Sequence, residues 1–150
     1  MLAIFIVGLL NLFNCEAAPP GAGVILIRNH EVLLVKNAFT GSWGFTKGTY
    51  EQSDESYLAN AIREVIEESG YYEGLDYTIY DGPCRFGKRP YWFGTVHTTT
   101  PVRINYTDHV DIQWHRIHAT MYEPNKDLEA WMDEGNPTVC PKTEFKLSAH

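Results

Sequence analysis

The chain is short of positive charge. Twelve Lys and Arg stand against 19 Asp and Glu, a net charge of −7 over 150 residues. That deficit argues against broad, sequence-independent nucleic-acid binding, which draws on a basic surface. It leaves room for an anionic ligand, because divalent cations can bridge acidic side chains and a polyphosphate. Cysteine is scarce, at three residues. No Cys and His fall at metal-ligand spacing, which argues against a zinc site. The chain also lacks internal repeats, linkers and low-complexity tracts, and at this length one domain is expected. Hydrophobic residues make up 44% and charged residues 21%, a globular balance that excludes global disorder.

One long apolar run is present, Met1 to Phe13, interrupted by Gly8 and Asn11. It is too short to span a bilayer comfortably, and no Lys or Arg precedes it. Small residues Cys15, Ala17 and Ala18 follow, then Pro19 and Pro20. The pattern is that of a secretory signal. Residues 1–18 are expected to be a signal peptide cut near Ala17 or Ala18. Residues 19–150 are expected to be the functional domain, secreted and without a membrane span; the alternative is a cytoplasmic protein with a buried first strand. Cleavage would leave Cys84 and Cys140, either paired in an oxidising compartment or free and buried. Asn105, in "NYT", is a glycosylation sequon with meaning only on that path.

Periodicity outlines the elements. "GVILIRNHEVLLVKN" predicts two strands, Gly23–Arg28 and Glu31–Lys36, around an "RNH" turn. "AFTGSWGFTKGTYEQSD" reads as a glycine-bearing loop. A helix is expected from about Glu55 to Ser69, with Leu58, Ala61, Ile62 and Val65 as its apolar stripe and Gly70 ending it. Further strands are expected near Tyr77–Asp81, Arg89–Thr98 and His109–Ile117, with a short one in "PVRINY". A second helix should run from Asn125 to about Glu134. Strands with two interspersed helices imply an α/β fold, a mixed sheet sandwiched between helices.

The first helix carries the chemistry. Glu64, Glu67 and Glu68 share the i, i+3, i+4 relation and form one cluster beside the apolar stripe. Like charges four apart repel by roughly 0.2–0.5 kcal/mol, and a hard divalent cation with oxygen ligands would relieve that. Arg63 lies four residues before Glu67, close enough to orient it.

Here the sequence resembles a known family. "GTYEQSDESYLANAIREVIEESGY" is similar to the Nudix box through Glu55, Arg63, Glu64, Val65, Glu67, Glu68 and Gly70. Six residues, rather than the family's five, separate Gly48 from Glu55, and Tyr71 stands where an aliphatic residue is usual. The resemblance implies the Nudix α/β/α sandwich and a hydrolase acting on phosphoanhydride bonds with Mg²⁺ or Mn²⁺. It implies metal ligands at Glu64, Glu67, Glu68 and the Gly48 carbonyl, with Arg63 and Glu55 orienting them.

The flanks resemble the asymmetric diadenosine tetraphosphate hydrolases of animals. "GSWGFTKG", "KRPYWFGTV", "DHVDIQWHRI" and "DLEAWMDEGNPTVC" carry that likeness, with Thr46 in place of a proline and Asp108 in place of a glutamate. By position, Tyr91 becomes a candidate adenine-stacking residue, with core packing as the alternative. Lys47, Lys88 and Arg89 become candidate phosphate contacts, and Trp43 and Phe45 candidate pocket walls. Asp108 is a candidate extra ligand or general base; His109 is expected to be structural and Trp114 core. The expected reaction is cleavage of diadenosine tetraphosphate to ATP and AMP by a monomer with no stable nucleic-acid partner. The alternatives are ADP-ribose or capped RNA as substrate, or an inactive nucleotide-binding module.

Overall fold

The computed structural model describes residues 17–142. The apolar run read as a signal peptide lies outside the described residues, apart from Ala17 and Ala18, which are exposed. Seven strands and two helices follow in the order β1 (Gly21–Arg28), β2 (Glu31–Asn37), β3 (Trp43–Gly44), β4 (Thr46–Thr49), α1 (Tyr57–Ser69), β5 (Tyr77–Phe86), β6 (Arg89–Val96), β7 (His109–Arg116) and α2 (Lys126–Asp133).

β1 is the organising strand. It pairs in parallel with β6 along one edge, Gly23 opposite Tyr91 to Ile27 opposite Thr95. Its other edge is divided between β4, over Gly21–Val24, and β2, at Ile27 and Arg28. β2 in turn carries β7 and the short β3, and β6 carries β5. A strand buried on both faces reads as an unbroken apolar run, as "GVILI" does. Ala22, Val24 and Leu26 point to one side and pack with Ala61 and Val65 of α1. Ile25 and Ile27 point to the other and pack with Leu128 and Trp131 of α2. The result is the expected α/β/α sandwich with a mixed sheet. Among the described residues, no helix is long and apolar enough to cross a membrane.

α1 starts two residues later than expected. Ser56 is its N-cap, with the side chain accepting from the Ala59 amide, and Gly70 ends it at φ 78°. A left-handed C-terminal residue is a role glycine fills without a Cβ penalty. The helix is also rolled relative to the expected stripe: Asn60, Ala61, Val65, Glu68 and Ser69 are buried, while Leu58 is exposed. Polar side chains thus take part of the sheet-facing side, which places Glu68 inside the protein. The expected loop at 38–54 contains β3 and β4. "PVRINY" forms no strand, and the strand begun at Tyr77 runs on to Phe86.

Cys84 on β5 and Cys140 beyond α2 form a disulfide with Cα atoms 5.6 Å apart, closing a separation of 56 residues. The same junction is held by the Cys140 amide on Asp81 Oδ2 at 2.8 Å and by the Tyr80 hydroxyl on the Thr138 carbonyl. A loop of that length constrains the unfolded chain by about 4 kcal/mol in the chain-entropy view. Replacing both cysteines with serine should therefore lower unfolding free energy by about 2–4 kcal/mol, read by denaturant titration of the oxidised protein.

Candidate active site

The site forms where α1 meets the end of β4. Gly48 lies so close to α1 that a Cβ there would sit 2.1 Å from the Glu64 carboxyl carbon. Only glycine permits that approach, and it brings a backbone segment against an acidic side chain. Asn60, one turn before Glu64, fixes the same segment by donating its amide to the Gly48 and Thr49 carbonyls at 3.4 and 3.3 Å.

Arg63 gathers the acids. Its Nε and Nη2 donate to the two oxygens of Asp54, both at 2.9 Å. Nη2 also reaches the Thr49 carbonyl at 2.9 Å. Nη1 is shared between Glu64 at 3.0 Å and Glu67 at 3.1 Å. Glu51 lies within ion-pair range at 3.6 Å. The hydrogen bond to Asp54, helped by the one to Glu67 and by the charges of Glu64 and Glu67, outweighs burial and raises the guanidinium's pKa, so the cation is permanent.

The orienting acid is Asp54, which corrects the reading of Glu55. Asp54 is buried and Glu55 is exposed. Asp54 Oδ2 also accepts the Glu51 amide at 2.8 Å, closing the turn between β4 and α1. Arg63 holds its carboxyl below the ordinary carboxylate range. The signal was present in the sequence. Five residues separate Gly48 from Asp54, the spacing of the Nudix box, so the extra residue falls after the acid.

Glu68 behaves differently from its neighbours. It is turned inward, 5% exposed. One oxygen accepts the Lys47 amide at 2.7 Å and the other meets His109 Nε2 at 2.8 Å. Burial pushes its carboxyl pKa up, against the lowering effect of His109. His109 thus joins the site, a role not read from the sequence; its Nδ1 has no hydrogen-bond partner among the described residues. Burial, then Glu68 and Glu67, push the Glu64 carboxyl up to about 7.

The three glutamates do not converge as placed. Two lean on Arg63 and one on Lys47 and His109, and among the described residues no three acidic, His or Cys side chains already stand in a metal-holding arrangement. The donor set nevertheless fits a hard divalent cation. It offers three carboxylates and a neighbouring backbone carbonyl, all oxygen, and burial together with the charges of Glu68 and Glu67 raises the pKa of Glu64.

The substrate candidates divide. Lys47 is half-buried; its amide meets Glu68, but its side chain leaves the sheet on the face opposite α1, and Lys88 is exposed at the β5–β6 turn. Arg89 pairs with Asp127 at 3.2 Å. Tyr91 is not a stacking surface: it is fully buried against Phe45 and Phe86, and its hydroxyl donates to Asp127. Trp43 is half-buried, edge-on to His115 at 4.8 Å, while Phe45 is core. Trp114 is half-buried under the Arg28 guanidinium, 4.1 Å from its ring. Asp108 is exposed, and its carbonyl accepts the Ala38 amide at 2.8 Å.

Residues 17–137 match the NUDIX domain family. No curated protein sequence matches the chain. Among solved structures, the Ap4A hydrolase binary complex of C. elegans is similar at 23% identity and TM-score 0.54, over 64% of this chain and 79% of that one. The MutT NUDIX hydrolase of Burkholderia pseudomallei is similar at 17% and 0.58, over 78% and 98%. The NUDIX domain of Shewanella oneidensis NrtR, complexed with ADP ribose, is similar at 18% and 0.55, over 81% and 91%. At these identities the structures support the fold.

Two outcomes follow from the electrostatics. Asp54→Asn should cost about 2–3 kcal/mol near neutral pH, whereas Glu55→Gln should be close to neutral. Because the folded-state pKa of Asp54 is depressed, its stabilisation is present above 3.8 and is lost as pH falls below that value. The Asp54→Asn deficit should therefore shrink in acid, read by denaturant titration across pH. Glu64 has the opposite sign. Its folded pKa is raised from 4.5 to about 7, so the chelated protein should lose stability as pH rises through that window, and Glu64→Gln should flatten the slope.

Proposed function

The chain belongs to the Nudix family, and from that premise we propose that it is a metal-dependent hydrolase that cuts diadenosine tetraphosphate asymmetrically to ATP and AMP. Its class is that of a Nudix hydrolase acting on phosphoanhydride bonds. The observation that carries the reading is the cluster on α1, in which one arginine holds Asp54, Glu64 and Glu67 beside the Gly48 backbone. An inactive binding module has no evident use for this self-repelling arrangement.

The residues divide the work. Glu64, Glu67, Glu68 and the Gly48 carbonyl would hold Mg²⁺ or Mn²⁺. Such a cation supplies charge neutralisation on phosphate oxygens and lowers the pKa of an attacking water. Arg63 sets the direction of Glu64 and Glu67, and Asp54 and Thr49 set the direction of Arg63. Glu67 is the most exposed of the three glutamates, its side chain 48% accessible, so it faces the incoming substrate and is the acid best placed to take a proton from water. Lys47, Lys88 and Arg89 would meet the polyphosphate, whose charge they match. Asp108, exposed one residue before His109, stays a candidate for a further acid at the mouth.

The substrate assignment draws on the likeness of the flanking segments and on the C. elegans Ap4A hydrolase fold. ADP-ribose is the second reading, favoured by the Shewanella domain complexed with that ligand. Capped RNA fits less well, because the acidic chain has no separate basic region.

Residues 19–150, purified and supplied with Mg²⁺, should turn over diadenosine tetraphosphate faster than ADP-ribose or capped RNA. Glu67→Gln should lower kcat by roughly 10²–10⁴-fold with stability near wild type. Nucleotide binding without metal-dependent turnover on any of the three would reject the hydrolase reading.

A further inference from the structure

A buried carboxylate outside the glutamate cluster has no part in the mechanism above. Asp127, the second residue of α2, is 4% exposed. Its Oδ2 accepts from the Tyr91 hydroxyl and from Arg89 Nη1, the latter at 3.2 Å. The Gly87 backbone closes over the other oxygen, so tightly that a Cβ there would lie 2.1 Å from Oδ1. One carboxylate therefore meets the β5–β6 hairpin at its turn, at the first residue of β6 and at Tyr91.

Arg89 is only partly spent in this arrangement. A guanidinium carries five donors in a planar fork. Nη1 faces Asp127, while Nε is buried with no acceptor among the described residues, and the side chain as a whole is 25% exposed. For stability alone, apolar packing would serve as well as a buried ion pair, because burying the pair carries a desolvation penalty. What the pair adds is a cation whose direction is fixed before any anion arrives, which lowers the entropy lost on binding.

The register places that cation on the sheet face that the Lys47 side chain also leaves, opposite α1. Gly23 pairs with Tyr91 on one edge and with Lys47 on the other. A Cβ at Gly23 would strike Lys47 Cβ at 2.5 Å and Tyr91 Cε1 at 2.7 Å, so Lys47 leaves the sheet on the face that Tyr91 occupies. Arg89, two residues before Tyr91, shares that face by the period of a strand. Two interstrand spacings, roughly 10 Å, separate β6 from β4. Lys47 borders the glutamates through its amide on Glu68. The Lys47 and Arg89 side chains leave the same face on strands separated by β1, a span that a chain of several phosphoryl groups covers.

We propose that Asp127 is a positioning residue, which aims the Arg89 guanidinium so that the accessible part of its fork takes the phosphates of a bound polyphosphate at the end remote from the glutamates. The proposal rests on the phosphate-contacting role given to Arg89 above. The test uses the full chain with Mg²⁺ in two assays, steady-state cleavage of diadenosine tetraphosphate and calorimetric titration with inorganic tripolyphosphate. Asp127→Asn should raise KM and the tripolyphosphate Kd roughly tenfold while kcat stays within about twofold. Arg89→Ala should give the same rise, and the double variant no further rise. Arg89→Lys should also weaken binding, because an ammonium lacks the fork that spans Asp127 and a phosphate. The tripolyphosphate arm separates this idea from the choice of substrate, since it needs neither nucleoside nor turnover. An unchanged tripolyphosphate Kd in Arg89→Ala and Arg89→Lys overturns it, as does a double variant in which the two effects multiply. Should Asp127→Asn not fold, Asp127→Glu replaces it: keeping the charge but moving the carboxylate by a methylene should raise KM and the tripolyphosphate Kd, and unchanged values overturn the proposal.

Discussion

The Arg63 guanidinium is the constraint on which the site depends. It spends Nε and Nη2 on Asp54, adds the Thr49 carbonyl, and shares Nη1 between Glu64 and Glu67. A lysine could match the charge but not this planar division of donors. Two jobs are combined in one side chain. Arg63 offsets the repulsion among the glutamates, and it straps the turn that follows β4 onto the helix that carries them. The loop position and the carboxylate directions are therefore set together.

The sandwich supplies the frame for that strap. β1 is buried on both faces, and its edges bring β4 and β6 to the same residues. Glycines at 21 and 23 let the neighbouring strands close in: a Cβ at Gly21 would lie 1.8 Å from the Gly48 carbonyl oxygen. The sheet thus delivers the Gly48 segment to α1 on one face and Lys47, Tyr91 and Arg89 to the opposite face. The disulfide and the Asp127 network then hold the β5–β6 hairpin to the last helix at two separate points.

Much of this was legible in the sequence because it is local. Strand alternation, the Gly70 stop and the glutamate spacing all follow from neighbours within a turn or two. The short strands β3 and β4 were not legible, since two to four residues become a strand only through pairing partners elsewhere. Leu58 was placed on the wrong face because the buried side of α1 includes Asn60 and Glu68, polar residues that a hydrophobic stripe ignores. Asp54 and Glu55 are adjacent acids, and composition could not choose between them; the Gly48 spacing could have. His109 reaches Glu68 across 41 positions of chain, and Tyr91 is core because β1 and β6 are in parallel register. Contacts of that range leave no periodic trace.

The commitments of Glu68 have a consequence for how such a site decays. One of its oxygens ties the β4 backbone and the other ties β7 through His109, so losing it loosens the fold as well as the chemistry. Glu67 is exposed and, among the described residues, hydrogen-bonds Arg63. Drift toward a silent member of this lineage would pass through Glu67 first and leave Glu68 in place. The glutamate that outlasts catalysis would then be a relic of architecture, and its presence in a descendant would say little about turnover.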